Sequence, residues 1–175
     1  MKRKLVITVR AAPLDGRKAI LTVGHLNFPA AIGRGGIRAI KREGDGGTPL
    51  ARMKLLYGYG RRDRGPLAAS ALPMRNTRPG DLWCDAPAHA LYNRPARKPF
   101  RPSHEEMHRT DGLYDLCIVL DWNMTSRRRN AGSAIFFHLI RGDYEPTAGC
   151  VALSRRDMIR LLPLLSRNAE IRVLK

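Results

Sequence analysis

The stretch Ser133-Ala-Ile-Phe-Phe-His138, followed by Leu139-Ile-Arg-Gly-Asp-Tyr-Glu-Pro-Thr-Ala-Gly-Cys150-Val-Ala-Leu153, decides how this chain is read. Its first part is an apolar, aromatic run ending on a histidine, the composition of a buried strand. The loop after it is long enough to fold back and bring His138 beside Cys150. A thiol nucleophile needs that pairing: thiolate is the reactive species, and a neighbouring imidazole lowers the thiol pKa and takes its proton. Gly149 permits close backbone approach and unusual φ/ψ values, so N–H groups around Ala148, Gly149 and Cys150 can converge on one oxygen as an oxyanion hole. On this reading Cys150 attacks a carbonyl, a thioester forms, and an amine or water resolves it. A buried Cys or His taken singly is usually a core residue, so the argument rests on the combined pattern.

Working outward, residues 5–9 and 18–23 are β-prone runs separated by Pro13, Asp15 and Gly16, a hairpin signal. Further strands are expected at 26–32, 50–57, 115–121, 134–140 and 170–174. The fold class is therefore mainly β. One helix is expected after Ser154 as N-cap, with Asp157 in its first turn, Met158, Leu162 and Leu165 on one face, and Pro163 shortening or kinking it. A second is expected at roughly 103–109, from Ser103 with Glu106 three residues later.

Residues 60–112 are rich in Pro, Arg, Asn and Asp. Such a segment inside a compact domain usually acts as a lid or binding loop. Trp83, Tyr92, Asn93, Arg94 and His104 within it are candidate substrate contacts, and equally candidates for pins that hold the loop to the sheet.

The chain of 175 residues fits one domain, spanning 1–175. No apolar run approaches the roughly 20 residues of a membrane-spanning helix. Met1-Lys2-Arg3-Lys4 resembles the start of a signal peptide, but Arg10 cuts off the apolar run 5–9, which reads as a first strand. Cys84, Cys117 and Cys150 make an odd count with no Cys-x-x-Cys, so at least one free thiol is expected. Cys117, in an apolar run, reads as core, whereas Cys84 lies either in the core or near the site. The formal charge of +17 fits a polyanionic partner or a compositional bias towards arginine on a solvated surface. Nucleic acid is disfavoured because the aromatics are not interleaved with basic residues. Gly33-Arg-Gly-Gly36 lacks the Lys-Ser/Thr of a phosphate-binding loop and reads as a turn. Arg127-Arg128-Arg129 reads as a hairpin tip or a polyanion contact. His89, His104 and His108 have no ligand-like partner set, so no metal and no cofactor are expected.

The stretch from His138 to Leu153, with Thr147-Ala148-Gly149-Cys150-Val151 near its end, resembles the signature of the L,D-transpeptidase catalytic (YkuD-like) family. Lys41-Arg-Glu-Gly-Asp-Gly-Gly-Thr-Pro49 resembles that family's early Gly-rich turn and Thr-Pro strand start. The resemblance implies a β-sandwich or barrel-like scaffold, Cys150 as nucleophile, His138 as base, and Gly149 with Thr147 shaping the oxyanion hole. It also implies peptidoglycan stem peptides as donor and acceptor, transfer to the side-chain amine of diaminopimelate, acylation by carbapenems, a monomer, and a periplasmic or cell-envelope location. Some members hydrolyse such bonds instead. Ala148, Ala152 and Leu139 depart from the commoner His, Arg or Asn, and Gly. Arg141, Asp143, Tyr144 or Arg94 would then hold the donor in place of a residue at 152. With the long 60–112 segment, these departures resemble a proteobacterial branch that joins L-alanine of one stem to diaminopimelate of another.

Overall fold

A computed structural model describes residues 4–66 and 69–175; the charged start at residues 1–3 lies outside the described residues. The strands are β1 (Val6–Ala12), β2 (Asp15–Val23), β3 (Leu26–Ala31), β4 (Ile37–Arg38), β5 (Thr48–Pro49), β6 (Arg52–Gly60) and β7 (Met74–Asn76). They continue with β8 (Asp81–Cys84), β9 (Arg94–Arg97), β10 (His104–Glu106), β11 (Leu116–Leu120), β12 (Phe136–Leu139), β13 (Val151–Leu153) and β14 (Glu170–Leu174). One helix, α1 (Arg155–Leu161), precedes β14.

The main sheet runs β11-β12-β13-β3-β2-β1-β14-β6-β7, and β6 also pairs with β11. The ladder thus returns on itself as a closed, barrel-like circuit, which removes most free strand edges. Alternation builds its interior: Ile7 and Val9 of β1, and Ala19, Leu21 and Val23 of β2, all point into one core.

Two strands carry continuous apolar sequence because both of their faces are buried. In β11, Leu116, Ile118 and Leu120 join the main core, whereas Cys117 and Val119 join a second cluster with Tyr59, Trp83, Tyr114 and Phe136. In β12, Phe137 and Leu139 face the main core and Phe136 faces the second cluster. His138 therefore lies on the second-cluster side.

Around α1 the cap forms as the sequence indicates: the Ser154 hydroxyl accepts from the Asp157 N–H, and Met158 and Leu161 are buried. Pro163 falls in a short 3₁₀ turn, Leu162–Leu164, that ends the helix. The expected helix at 103–109 is instead β10, antiparallel to β8 with Glu105 opposite Trp83. Ser103 and Glu106 mimic a capping signal, but strand pairing satisfies this backbone. Segment 60–112 is likewise not irregular throughout. It contains β7 and a small sheet of order β10-β8-β9, whose Leu82, Cys84 and Ala96 form a third apolar cluster. All three cysteines are free and buried. No helix is long and apolar enough to cross a membrane among the described residues.

Candidate active site

Strands β12 and β13 are parallel, with His138 opposite Ala152. Cys150 stands two residues before Ala152, so its side chain shares a face with His138. Both side chains open on one cavity of about 380 Å³. The Cys150 thiol donates to the Ala134 carbonyl (3.2 Å), and its sulfur accepts from the Phe136 N–H (3.3 Å). His138 Nδ1 lies 2.7 Å from the Leu139 carbonyl oxygen. A carbonyl only accepts, so Nδ1 carries the hydrogen and Nε2 is left as an acceptor. The Tyr114 ring stands edge-on to the imidazole at 5.2 Å.

Cys150 and His138 are only 6% and 5% exposed. Burial pushes the thiol up to about 12, while the Phe136 N–H and Lys41 pull the other way and Glu105 adds to the rise. Burial likewise pushes the imidazole down to about 4, opposed by its bond to Leu139 and reinforced by Arg109. At neutral pH both groups rest uncharged.

The chain beneath the thiol is held by backbone contacts. The Thr147 hydroxyl donates to the Cys150 carbonyl (2.7 Å) and accepts from the Gly149 N–H (3.1 Å). Thr147 is bridged to Gly33, its N–H donating to the Ile32 carbonyl and its carbonyl accepting from the Arg34 N–H. Gly149 takes φ +138°, and a Cβ there would lie 2.8 Å from the Gly47 carbonyl oxygen. At Gly33 a Cβ would fall 2.1 Å from the Gly46 carbonyl oxygen. The Gly-rich turns at 33–36 and 43–47 thus form the bed of Cys150. The Thr48 hydroxyl accepts from the Gly33 N–H (2.8 Å), which ties the Thr-Pro strand to the same bed.

Of the nine residues the sequence nominated as substrate contacts, Arg141 and Ala148 line the cavity, and the structure puts the others elsewhere. Trp83 is fully buried, its ring edge-on to Phe136 and its Nε1–H donated to the Asn93 side-chain oxygen. That oxygen also accepts from the Ala134 N–H, and the Asn93 amide donates to the Trp122 carbonyl. The Tyr92 hydroxyl donates to Glu43. Arg94 binds the Asn93 and Met124 carbonyls, and His104 sits on the Pro102 carbonyl beside Phe100. All five are engaged with other parts of the chain, as pins would be. Asp143 is exposed, with Lys18 3.9 Å away, and Tyr144 borders a groove together with residues of β2 and β3. Ala152 is fully buried in the sheet.

The cavity is lined as well by residues that were not nominated. Lys41 and Glu43 come from the Gly-rich run, Asp85 directly follows β8, Glu105 lies in β10, and Arg34, Arg109, Tyr114, Ser133 and Glu145 are among the rest. The first two were within the quoted motif. The register that puts Glu105 opposite Trp83 carries no sequence signal, because backbone pairing joins positions 22 residues apart.

The family model of the L,D-transpeptidase catalytic domain (YkuD) matches residues 16–173. The chain belongs to this family. Among solved structures it is similar to Mycobacterium tuberculosis L,D-transpeptidase 1, with a TM-score of 0.42 and 11% identity over 98% of this chain. It spans 62% of that longer chain. No curated protein matches the sequence.

Proposed function

We propose that the protein is a peptidoglycan transpeptidase with Cys150 as nucleophile and His138 as general base. The supporting observation is that the two side chains open on one cavity from adjacent parallel strands, with Nδ1 of His138 tied to a carbonyl and Nε2 free to accept. As Sγ attacks a stem-peptide carbonyl, the thiol hydrogen passes to Nε2 and a Sγ–C bond forms. The Gly149 N–H is already engaged by Thr147, so the Ala148 and Cys150 N–H groups are the donors for the oxyanion. His138 returns the proton to the leaving amine, which leaves a thioester on Cys150. The side-chain amine of a diaminopimelate then attacks. Its proton moves to Nε2, the C–S bond breaks, and the thiolate takes the proton back.

Arg34 and Arg141 line the cavity, Arg141 with its guanidinium 3.2 Å from Asp111, and are the groups suited to hold a stem carboxylate where Ala152 offers none. The L-alanine to diaminopimelate linkage of the proteobacterial branch, a monomeric state and work in the cell envelope belong to the same proposal, as does a single domain over 1–175. The test is incubation of purified wall sacculi with the protein, digestion, and mass spectrometry of the fragments. New dimers that vanish with Cys150→Ala are expected, together with a covalent carbapenem adduct on the intact protein. Monomers trimmed by hydrolysis would assign a wall peptidase instead, and unchanged dimer yield in Cys150→Ala would overturn the proposal.

A further inference from the structure

A second cleft, of about 570 Å³, lies where β7 faces the paired strands β8 and β9, and none of its lining residues borders the catalytic cavity. Its volume is that of a small-molecule site, roughly 300–1,000 Å³. Three arginines line it, Arg75, Arg78 and Arg97, against one carboxylate, Asp81.

Each arginine is placed by something other than a full ion pair. The Arg75 guanidinium lies over the Tyr57 ring, 3.9 Å from its centre, a cation–π contact that leaves the N–H edges outward. Arg78 opens a tight turn, Arg78-Pro79-Gly80-Asp81, in which the Asp81 N–H donates to the Arg78 carbonyl and Gly80 takes φ +84°. Asp81 Oδ2 accepts from the Arg78 N–H at 2.8 Å. Arg97 stands opposite Asp81 across the β8–β9 ladder, with Nε 3.4 Å from Oδ1. Among the described residues that is the one ion pair any of the three makes. Asp81 thus spends both oxygens on organising the cleft.

The neutral polar groups are donors too. The Asn76 side-chain oxygen accepts from the Arg62 N–H at 3.2 Å, so its amide N–H groups remain to be given. The Tyr59 hydroxyl also lines the cleft, and burial pushes this phenol up, so it keeps its hydrogen. Below these groups lie the buried side chains of Leu82 and Ala96, an apolar floor for the body of a ligand.

A donor-rich, acceptor-poor cleft calls for an anion with several oxygens. Three guanidiniums less one carboxylate leave a local charge of +2. A phosphate monoester carries about −1.5 to −2 at pH 7 and presents three acceptor oxygens, which match guanidinium forks. A phosphodiester carries a single negative charge and leaves half of the local charge unanswered.

We propose that Arg75, Arg78 and Arg97, with the Asn76 amide and the Tyr59 hydroxyl, form a binding site for the phosphate-monoester group of a small phosphorylated ligand. The site is separate from the catalytic cavity and does not depend on the transpeptidase reading.

The test titrates the whole protein at 50 mM salt with glucose 6-phosphate, glucose and dimethyl phosphate, followed by amide shifts in NMR. Glucose 6-phosphate is expected to bind with a Kd below about 1 mM, and the two other probes at least about tenfold more weakly. The shifts are expected at residues 75–82 and 94–97. Arg78→Gln and Arg97→Gln, on exposed side chains, should each weaken glucose 6-phosphate at least fivefold. Arg156→Gln removes the same charge from an exposed position on α1 and should change its affinity less than twofold. No saturable binding, equal affinity for dimethyl phosphate, shifts centred elsewhere, or equal losses in all three variants would overturn the site. The probe comparison in the unaltered protein needs no variant, so a folding defect cannot obscure it.

Discussion

Burial holds Cys150 and His138 in their neutral forms, so the chemistry starts from a thiol and an imidazole rather than an ion pair. The consequence is visible in pH dependence. An ordinary histidine base loses activity as pH falls through about 6.5. His138, pushed down to about 4, stays unprotonated well below that. The acid limb of kcat/KM with a soluble donor is expected nearer pH 4 to 5, because kcat/KM reports the free enzyme; a limb between 6 and 7 would show that His138 is not held as described.

Stability follows the same group. Between its folded value of about 4 and an unfolded value near 6.5, the unfolded chain binds the extra proton, so stability rises with pH across that window and is lost as pH falls through it. Melting temperatures of the wild type should therefore fall more steeply from pH 6.5 to 4 than those of His138→Gln. Parallel curves would contradict this. Cys150 acts at the other end: with its folded value near 12 its contribution is complete below the unfolded thiol value of about 8.5 and is lost as pH rises through 12.

At the scale of elements, Asn93 links the small sheet to the segment leading into β12. Its side-chain oxygen takes the Trp83 Nε1–H and the Ala134 N–H, and the Ala134 carbonyl receives the Cys150 thiol. Asn93→Ala leaves those buried donors unpaired at about 1–3 kcal/mol each. Chemical denaturation should show a loss of at least about 2 kcal/mol with a lowered kcat; a loss under about 0.5 kcal/mol would mean that the pin is not used. Gly149→Ala forces a side chain into φ +138° and into the Gly47 carbonyl. Activity is expected to fall at least a hundredfold, measured as turnover of a soluble donor by folded protein, and wild-type turnover would remove Gly149 from the account.

Strands were readable where alternation or full burial left a pattern, as in β1, β2, β11, β12 and β14, and Ser154 announced α1. Cys150 and His138 were readable because glycine, thiol and imidazole stand in one short stretch. What escaped was made by pairing between distant segments. β13 is only three residues long, and β10 carries the letters of a helix start but satisfies its backbone against β8. The cavity lining needs Glu43, Asp85 and Glu105 brought together from three places along the chain, and no local pattern records that. Asn93 and Trp83 were nominated as contacts or pins, and no local pattern announces that both are buried.

Across the whole molecule, the excess charge of +17 is not matched at the cavity, whose lining carries four basic side chains, Arg34, Lys41, Arg109 and Arg141, and four acidic ones, Glu43, Asp85, Glu105 and Glu145. A basic surface speeds encounter with an anionic polymer through fields that salt screens within about 8 Å at physiological ionic strength. Binding to sacculi in a pelleting assay is therefore expected to weaken at least tenfold between 50 mM and 500 mM salt, while turnover of a small soluble donor changes less than threefold. Insensitive sacculus binding would assign the surface charge no part in wall attachment.

The central claim is that the buried thiol at Cys150 becomes the acyl carrier. Intact-protein mass spectrometry after brief mixing with a soluble donor stem, without an amine acceptor, reads it directly. The account predicts an added mass equal to the donor acyl group, mapped to Cys150, absent in Cys150→Ala and slow to form in His138→Gln. An acyl group found on another residue, or its appearance unchanged in Cys150→Ala, would contradict it.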